Sequence, residues 1–165
     1  MLTNAIRVSI EVRRAAPDDD AFITALGSSC ATTSVSRIRH VNADTAALSF
    51  RRLLMFCRER PGTIDLIAAV DGDRAGFLIL LTDVPDEVTQ SDQAFVAFMA
   101  VAEPVRRAGV GRALLKAAEH EAGRLKLPHL SLMVSADNAA ARALYARAGL
   151  VEERLLLTKM VEAGA

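Results

Sequence analysis

A short basic turn containing two glycines stands where an apolar run ends and a helical pattern begins. In the run RRAGVGR, Arg106 and Arg107 precede Gly109, and Gly111 and Arg112 follow it. The first amides of a helix have no intrahelical partner and carry partial positive charge, and glycine lets an anion approach without meeting a Cβ. The turn predicts a pyrophosphate site; a bare strand-to-helix turn whose glycines relieve crowding is the alternative interpretation.

The spacing of the glycines argues against two common nucleotide sites. A P-loop needs GxxxxGK[ST], and neither glycine is followed by Lys-Ser or Lys-Thr. The dinucleotide form G-x-G-x-x-G would place its third glycine at Leu114. A zinc protease is not predicted either, because HExxH starting at His120 would need a histidine where Arg124 stands.

Composition limits the classes of protein that can present this turn. The 165 residues are 52% hydrophobic and 24% charged, which is typical of one globular domain, residues 1–165, and excludes a disordered or collagen-like chain. Twenty basic residues balance twenty acidic ones, so no general attraction to nucleic acid or an anionic membrane is expected.

The cysteines and the apolar runs indicate a cytoplasmic protein. Cys30 and Cys57 lie 27 residues apart without a CxxC motif, which favours reduced thiols. The first twenty residues lack the apolar region of a signal peptide, and the longest apolar run, Ala94–Ala102, is far shorter than the roughly 20 residues of a membrane span.

Hydrophobic periodicity and turn residues predict a mixed α/β sheet in the order β-α-α-β-β-β-α-β-α-β. A polar loop over Gly27–Arg39 separates the first two helices, and another over Thr82–Asp92 precedes a central strand that is apolar on both faces. The strands are predicted at Ile6–Arg14, Thr63–Val70, Arg74–Leu81, Phe95–Val101, His129–Val134 and, as one or two strands, Val151–Met160; the helices at Asp18–Leu26, from Asn42 to before Pro61, from Gly109 to before Pro128, and from Asp137 or Asn138 to Arg147.

At this point the chain resembles the GCN5-related N-acetyltransferase (GNAT) superfamily. Its signature Q/R-x-x-G-x-G/A is matched by Arg106, Gly109 and Gly111, at the start of a helix that follows a strand. A second family segment, L-x-V-x-x-x-N-x-x-A-x-x-L-Y followed by glycine, is matched by Leu132, Val134, Asn138, Ala141, Leu144, Tyr145 and Gly149. The resemblance implies a mixed central sheet with splayed central strands flanked by helices, and acetyl-coenzyme A as acyl donor without a metal.

The resemblance also assigns residues to the donor. The pantetheine arm would lie along exposed backbone of the central strand, and the pyrophosphate would rest on the amides of the basic turn. Asn138 would fix either the edge of the second of the two splayed strands or the pantetheine. The implied cofactor-binding residues are Met99, Ala100, Val101, Arg106, Arg107, Ala108, Gly109, Val110, Gly111, Arg112 and Asn138.

The resemblance implies a catalytic role for the only tyrosine of the chain, Tyr145, as the acid that protonates the departing thiolate. The alternative is a core aromatic at helical spacing from Ala141 and Leu144. Many relatives carry a carboxylate on the strand before the turn, but Phe95–Met99 has no ionisable side chain. Three options for the base stay open: a residue of the Asp83–Asp92 loop, a residue of the helical region before Arg60, or a water chain that ends at solvent. His40, Glu87 and Asp92 are candidates by location only.

We therefore expect an N-acetyltransferase that acts on a primary amine of a small molecule or a protein. The acyl group, acetyl or larger, stays open, as does a homodimer, which is common among relatives. The absence of the strand carboxylate motivates a second hypothesis, a non-catalytic acyl-coenzyme A binding or regulatory module.

Overall fold

The computed structural model describes residues 9–161. Its strands are β1 Ile10–Arg14, β2 Thr63–Val70, β3 Asp73–Leu81, β4 Ala94–Val101 and β5 Leu130–Leu132; its α-helices are α1 Asp20–Cys30, α2 Ala43–Arg58, α3 Val110–Arg124 and α4 Ala139–Arg147. None of the described helices is long and apolar enough to cross a membrane.

The five strands form one mixed sheet in the order β1-β2-β3-β4-β5. Neighbours from β1 to β4 are antiparallel, and β5 runs parallel to β4. The β2–β3 hairpin turns at Asp71 and Gly72, whose φ angles of 50° and 93° fit the two-residue turn that matches strand twist. The predicted mixed α/β sheet is confirmed.

Helices cover both faces of the sheet. On one face, α1 and α2 pack over a core that includes Phe50 of α2 and Phe77 and Ile79 of β3. On the other face, Leu114 of α3 belongs to a core with Leu78 of β3. The alternation of side chains along β3 sends successive residues to opposite faces, so this strand is buried on both sides. The core therefore consists of two apolar layers separated by the sheet.

The predicted loop Gly27–Arg39 is wrong in its first part. Helix α1 continues to Cys30, and short 3₁₀ turns follow at Ala31–Ser34 and Arg37–Arg39. Gly27 does not end the helix, because its absent side chain makes room for α2: a Cβ there would lie 2.0 Å from Cζ of Phe50. Thus the glycine allows two helices to approach closely.

Two strand predictions differ from the structure at the ends of the described chain. Positions 6–8 of the predicted strand Ile6–Arg14 lie outside the described residues, and β1 begins at Ile10. The prediction of one or two strands over Val151–Met160 is wrong for this structure, where residues 151–161 form neither helix nor strand. The physical reason is that no described strand lies alongside them, since β5 pairs with β4 alone.

A buried carboxylate fastens β1 to β3. Asp19 is fully buried and accepts hydrogen bonds from Arg13 at 2.6 and 3.0 Å, from Nε of Arg74 at 2.6 Å and from the amide of Ala16 at 2.8 Å. These donors, Arg13 foremost, lower the pKa of Asp19 well below its usual range despite burial, which acts in the opposite direction. The cluster ties the turn before α1 to two strands.

Both cysteines are free, buried thiols, Cys30 at the end of α1 and Cys57 near the end of α2. Burial raises the pKa of Cys57 to about 11. A thiol held protonated in this way is a poor nucleophile, so Cys57 acts as a small core residue.

Candidate functional site

Strands β4 and β5 separate halfway along β4. Their pairing covers Ala94 with Leu130, Phe95 with Ser131 and Val96 with Leu132, whereas β4 continues to Val101. The pairing of β3 with β4 is irregular at the same point. Ile79 pairs with Phe98, but the next residue, Leu80, pairs with Val96. The extra residue is Ala97, and a bulge of this kind bends the strand that carries it. A gap opens beside the second half of β4, as expected for splayed strands.

The backbone of two predicted residues points into this gap. The amide of Ala102 donates to the carbonyl of Ala75 at 2.8 Å, so position 102 faces β3. In an antiparallel pair the direction alternates, and therefore Met99 and Val101 face the gap while Ala100 faces β3. The Ala100 side chain is buried in the α1–α2 core. Of these three, Met99 and Val101 can offer backbone groups to a ligand.

The basic turn has the backbone conformation that its glycine predicts. Arg107 and Gly109 have φ angles of 69° and 98°, in the left-handed region that favours glycine. Gly109 is the N-cap of α3, and the first amide that bonds back to it is that of Ala113, at 3.0 Å. The amides of Val110, Gly111 and Arg112 consequently have no intrahelical acceptor and are oriented toward the N-terminal end of the helix. This end can hold an anion.

Arg106, which opens the signature, turns its side chain away from the helix end. Its Nε donates to the carbonyl of Val101 at 3.2 Å, and a terminal nitrogen lies 3.8 Å from Sγ of Cys30. The residue thus joins the end of β4 to the end of α1. The exposed Arg107 and Arg112 remain as the positive side chains of the turn, and Ala108 is exposed between them.

Asn138 is the N-cap of α4, as its type predicts. Its Oδ1 accepts from the amide of Ala141 at 3.1 Å, and its Nδ2 donates to the carbonyl of Thr33 at 3.0 Å. A second bond, from the amide of Arg37 to Oδ2 of Asp137, measures 2.9 Å. The start of α4 is therefore fastened to the connection between α1 and α2, a contact that spans about a hundred residues of sequence and that no local pattern indicates.

Helix α4 brings Tyr145 to the neighbourhood of the turn. The preceding residue, Leu144, lies against Gly111, where an added Cβ would be 2.9 Å from Cδ2 of Leu144. Tyr145 packs, half-buried, on the α3 side of the sheet, and burial raises the pKa of its phenol above the usual value of 10.0. The phenol consequently stays protonated at neutral pH and can act as a hydrogen-bond donor.

The candidate bases occupy three different environments. Glu87 is exposed in the β3–β4 loop, 3.6 Å from Arg154, and Asp92 is exposed near the start of β4. His40 lines a cavity of about 330 Å³ together with Thr32, Val35, Ser36, Arg37 and Val41. His40 lies in the connection between α1 and α2 that is bonded to the start of α4 through Thr33 and Arg37.

The fold and the site define a class: an α/β domain whose parallel β4 and β5 separate beside a helix end with free amides. The model of the acetyltransferase (GNAT) family matches residues 35–150, which is more than two thirds of the sequence. The chain belongs to this family. The resemblance stated from the two motifs is thereby confirmed. A comparison with curated proteins finds no match.

Solved structures show the same fold at low identity. Aminoglycoside N-acetyltransferase AAC(6')-Iy in complex with coenzyme A matches with a TM-score of 0.67 and 14% identity, over 94% of this chain and 97% of that one. A ribosomal-protein-alanine N-acetyltransferase from Brucella melitensis biovar Abortus 2308 matches with a TM-score of 0.66 and 20% identity, over 93% of this chain and 99% of that one. A transcriptional regulator from Bacillus halodurans C-125 matches with a TM-score of 0.68 and 17% identity, over 93% of this chain and 100% of that one.

Proposed function

We propose that this protein transfers an acetyl group from acetyl-coenzyme A to a primary amine of a small molecule or a protein. The observation that carries the proposal is the gap beside β4, where backbone of Met99 and Val101 faces outward next to the free amides at the start of α3. Family membership supports it, as does the aminoglycoside acetyltransferase of the same fold in complex with coenzyme A.

The donor would lie across the gap and the turn. The free amides of Val110, Gly111 and Arg112 would face an anion the size of a pyrophosphate, and the exposed guanidinium groups of Arg107 and Arg112 would add charge. The amide of Ala108 already donates to the carbonyl of Val105, at 3.4 Å. The pantetheine amides would pair with Met99, whose N–H and C=O both face the gap, and with the N–H of Val101. The carbonyl of Val101 already accepts from Arg106.

The chemistry is the attack of a neutral amine on the thioester carbonyl. A carbon–nitrogen bond forms, the carbon–sulfur bond breaks, and the nitrogen loses a proton to water or to His40. Tyr145 gives its proton to the departing sulfur and regains one from solvent. The amide of Met99 would donate to the carbonyl oxygen while negative charge develops on it.

The acceptor would enter beside the α1–α2 connection. The cavity at His40 lies in this connection, and its lining carries Arg37 and the hydroxyl groups of Thr32 and Ser36. Relatives of the same fold are named for an aminoglycoside and for the alanine of a ribosomal protein, so both a small molecule and a protein are acceptor classes for this fold.

Binding of acetyl-coenzyme A is the first test. A ligand at 100 times its dissociation constant stabilises a protein by about 2.7 kcal/mol, which a thermal-shift titration detects. Replacing Gly109 by valine should abolish the shift, because the left-handed turn and its amides are lost. Gly72→Val is the matched control: its φ is 93°, nothing lies within 4 Å, and the hairpin is remote from the turn. Equal loss of affinity in both variants would contradict the proposed site.

A panel of amines with detection of released thiol then tests turnover. Thiol release that depends on an amine supports the transferase. Binding of acetyl-coenzyme A without turnover on any amine would instead support the alternative, a non-catalytic acyl-coenzyme A binding or regulatory module, which the absence of a carboxylate on β4 favours. No binding at all would contradict both.

A further inference from the structure

The connection between α1 and α2 is positively charged. It spans residues 31–42, reads ATTSVSRIRHVN, and holds two arginines and one histidine but neither aspartate nor glutamate. We call it the basic connection. Because the charges of the whole chain balance, this local excess of cations is a property of the segment and favours a ligand of negative charge.

A cavity of about 330 Å³ lies within the basic connection, and its volume is that of a pocket for a small molecule. Its lining combines hydroxyl groups, aliphatic side chains and two basic residues, but no carboxylate among the described residues: Thr32, Ser36, Val35, Val41, Arg37 and His40. The guanidinium of an arginine presents a planar fork of N–H donors that matches the two oxygens of a carboxylate. Arg37 is therefore the side chain of this lining best suited to an organic anion.

Folding leaves the guanidinium of Arg37 without a partner. Arg37 is exposed, and within residues 9–161 its side chain makes no hydrogen bond and no ion pair. Its main chain fixes the turn instead: the amide donates to Oδ2 of Asp137 at 2.9 Å, and the carbonyl accepts from the amide of His40 at 3.3 Å. The guanidinium charge lowers the pKa of Asp137 only as a smaller cause, after the hydrogen bonds from the Ser135 hydroxyl and the Arg37 amide. The charge of the side chain is thus available for a ligand.

Two contacts join the basic connection to the elements of the proposed site. On one side, Arg106 of the signature turn lies 3.8 Å from Sγ of Cys30, the residue directly before the connection, and donates to the carbonyl of Val101. On the other side, Asn138 at the start of α4 donates to the carbonyl of Thr33 at 3.0 Å. The connection is therefore fastened to both β4 and α4, the elements to which the proposed function assigns the donor and the proton.

We propose that the amine acceptor carries a carboxylate, and that Arg37 binds this carboxylate in the cavity. The inference rests on the proposed function and narrows its acceptor to a small amino carboxylate such as an amino acid. The hydroxyl groups of Thr32 and Ser36 would donate to the same carboxylate, and Val35 and Val41 would contact an aliphatic part of the acceptor. An amine with several positive charges, such as an aminoglycoside, would be repelled by the basic connection.

Turnover of matched amines tests the inference. The pairs are ω-amino carboxylic acids of increasing chain length, beginning with glycine, and the corresponding carboxamides, with release of thiol from acetyl-coenzyme A as the readout. We expect kcat/KM for at least one acid to exceed that for its carboxamide by about 10-fold or more, since hydrogen bonds to a charged group contribute factors of this size. Equal rates for acids and carboxamides would overturn the inference and leave the proposed transferase standing.

Arg37→Gln removes the charge and retains the main-chain bonds of the turn. It should lower kcat/KM for the acids by about 10- to 100-fold, chiefly through KM, and leave the rates for the carboxamides and the KM for acetyl-coenzyme A unchanged. A merely structural role would lower the rates for acids and carboxamides alike. Arg39→Gln is the matched control, because Arg39 is exposed in the same 3₁₀ turn but does not line the cavity; its rates should not change. Equal losses for the acids in both variants would overturn the assignment to the cavity.

Binding of the carboxylate can be measured without turnover. In NMR spectra, the amides of residues 32–41 should shift on titration with pentanoate but not with pentanamide, and Arg37→Gln should abolish the response. Binding of pentanoate without turnover of any amine would contradict the proposed function and support the carboxylate site. A preference for acids without any response of these amides would place the carboxylate elsewhere and overturn the inference. Neither binding nor turnover would overturn both.

Discussion

Gly111 lies against Leu144, so that α3 and α4 meet at the last residue of the signature. A Cβ at Gly111 would lie 2.9 Å from Cδ2 of Leu144 and 3.8 Å from Cγ2 of Val101. The second glycine of the motif therefore has a packing role that its place in an anion-binding turn does not indicate. It sets the distance between the turn and the helix that carries Tyr145.

This contact predicts a graded response to side-chain size. Gly111→Ala should be nearly neutral if the end of Leu144 moves aside, whereas Gly111→Val should cost about 1–3 kcal/mol of unfolding free energy through overpacking. Urea denaturation measures both. Gly123→Ala on the same helix is the control: nothing lies within 4 Å of it, and it should gain about 0.5–1 kcal/mol from helix propensity.

A double-mutant cycle separates this contact from a general effect on α3. Truncating Leu144 to alanine should recover most of the loss caused by Gly111→Val, because the clash partner is gone. If the two losses simply add, Leu144 is not the residue that excludes a side chain at Gly111.

Tyr145→Phe tests the assigned proton donor. In an active assay kcat should fall by about 100-fold or more, with little change in the KM for acetyl-coenzyme A, since general acids contribute factors of this size to the chemical step. The thermal stability should change little, because the ring still packs on the α3 side of the sheet. Unchanged turnover would show that Tyr145 is a core aromatic.

The phenol can also be observed directly. Because Tyr145 is the only tyrosine, ultraviolet absorbance of phenolate reports on this residue alone. Burial raises its pKa, so the folded protein should titrate above the ordinary value of 10.0 and the urea-unfolded protein near it. The corresponding stability is present below that value and is lost as the pH rises through the folded pKa.

His40 provides a test of the base. Its φ is 47°, and asparagine tolerates this left-handed conformation, so His40→Asn removes the imidazole without straining the backbone. If His40 accepts the amine proton, kcat/KM for the amine should fall by about 100-fold while the KM for acetyl-coenzyme A stays constant. Glu87→Gln and Asp92→Asn should retain activity. A loss in either of them, and none at His40, would move the base to the β3–β4 loop.

Local signals predicted the elements that carry the site. The run Asp71-Gly72-Asp73 located the β2–β3 hairpin to within one residue, since a left-handed turn needs such residues. The sequence predicts Asp137 or Asn138 as the N-cap of α4, and Asn138 is the N-cap in the structure. The turn before α3 followed from Gly109 in the same way.

The sequence does not predict the contacts between segments that lie far apart in the chain. Nothing near Thr33 or Arg37 signals that they bond to the start of α4, because partners a hundred residues apart leave no periodic pattern. Gly27 signalled a loop although it serves helix packing. The pattern of Val151–Met160 is strand-like, but whether a strand forms depends on a neighbouring strand that the pattern cannot supply.

Asp19 should make the stability of the fold depend on pH. Its pKa is lowered chiefly by the hydrogen bonds from Arg13, with help from Ala16 and Arg74. A carboxyl whose pKa is lowered by folding stabilises the protein at pH values above its pKa in the unfolded chain, about 3.9. This stabilisation is lost as the pH falls from there through the folded pKa. Because both arginines are partly exposed, we expect Asp19→Asn to cost about 2 kcal/mol of unfolding free energy at neutral pH.

Urea denaturation at a series of pH values should show this difference shrinking in acid, whereas Asp92→Asn, at an exposed position, should shift stability little. A difference that stays constant down to low pH would mean that the charge of Asp19 is not what holds β1 to β3.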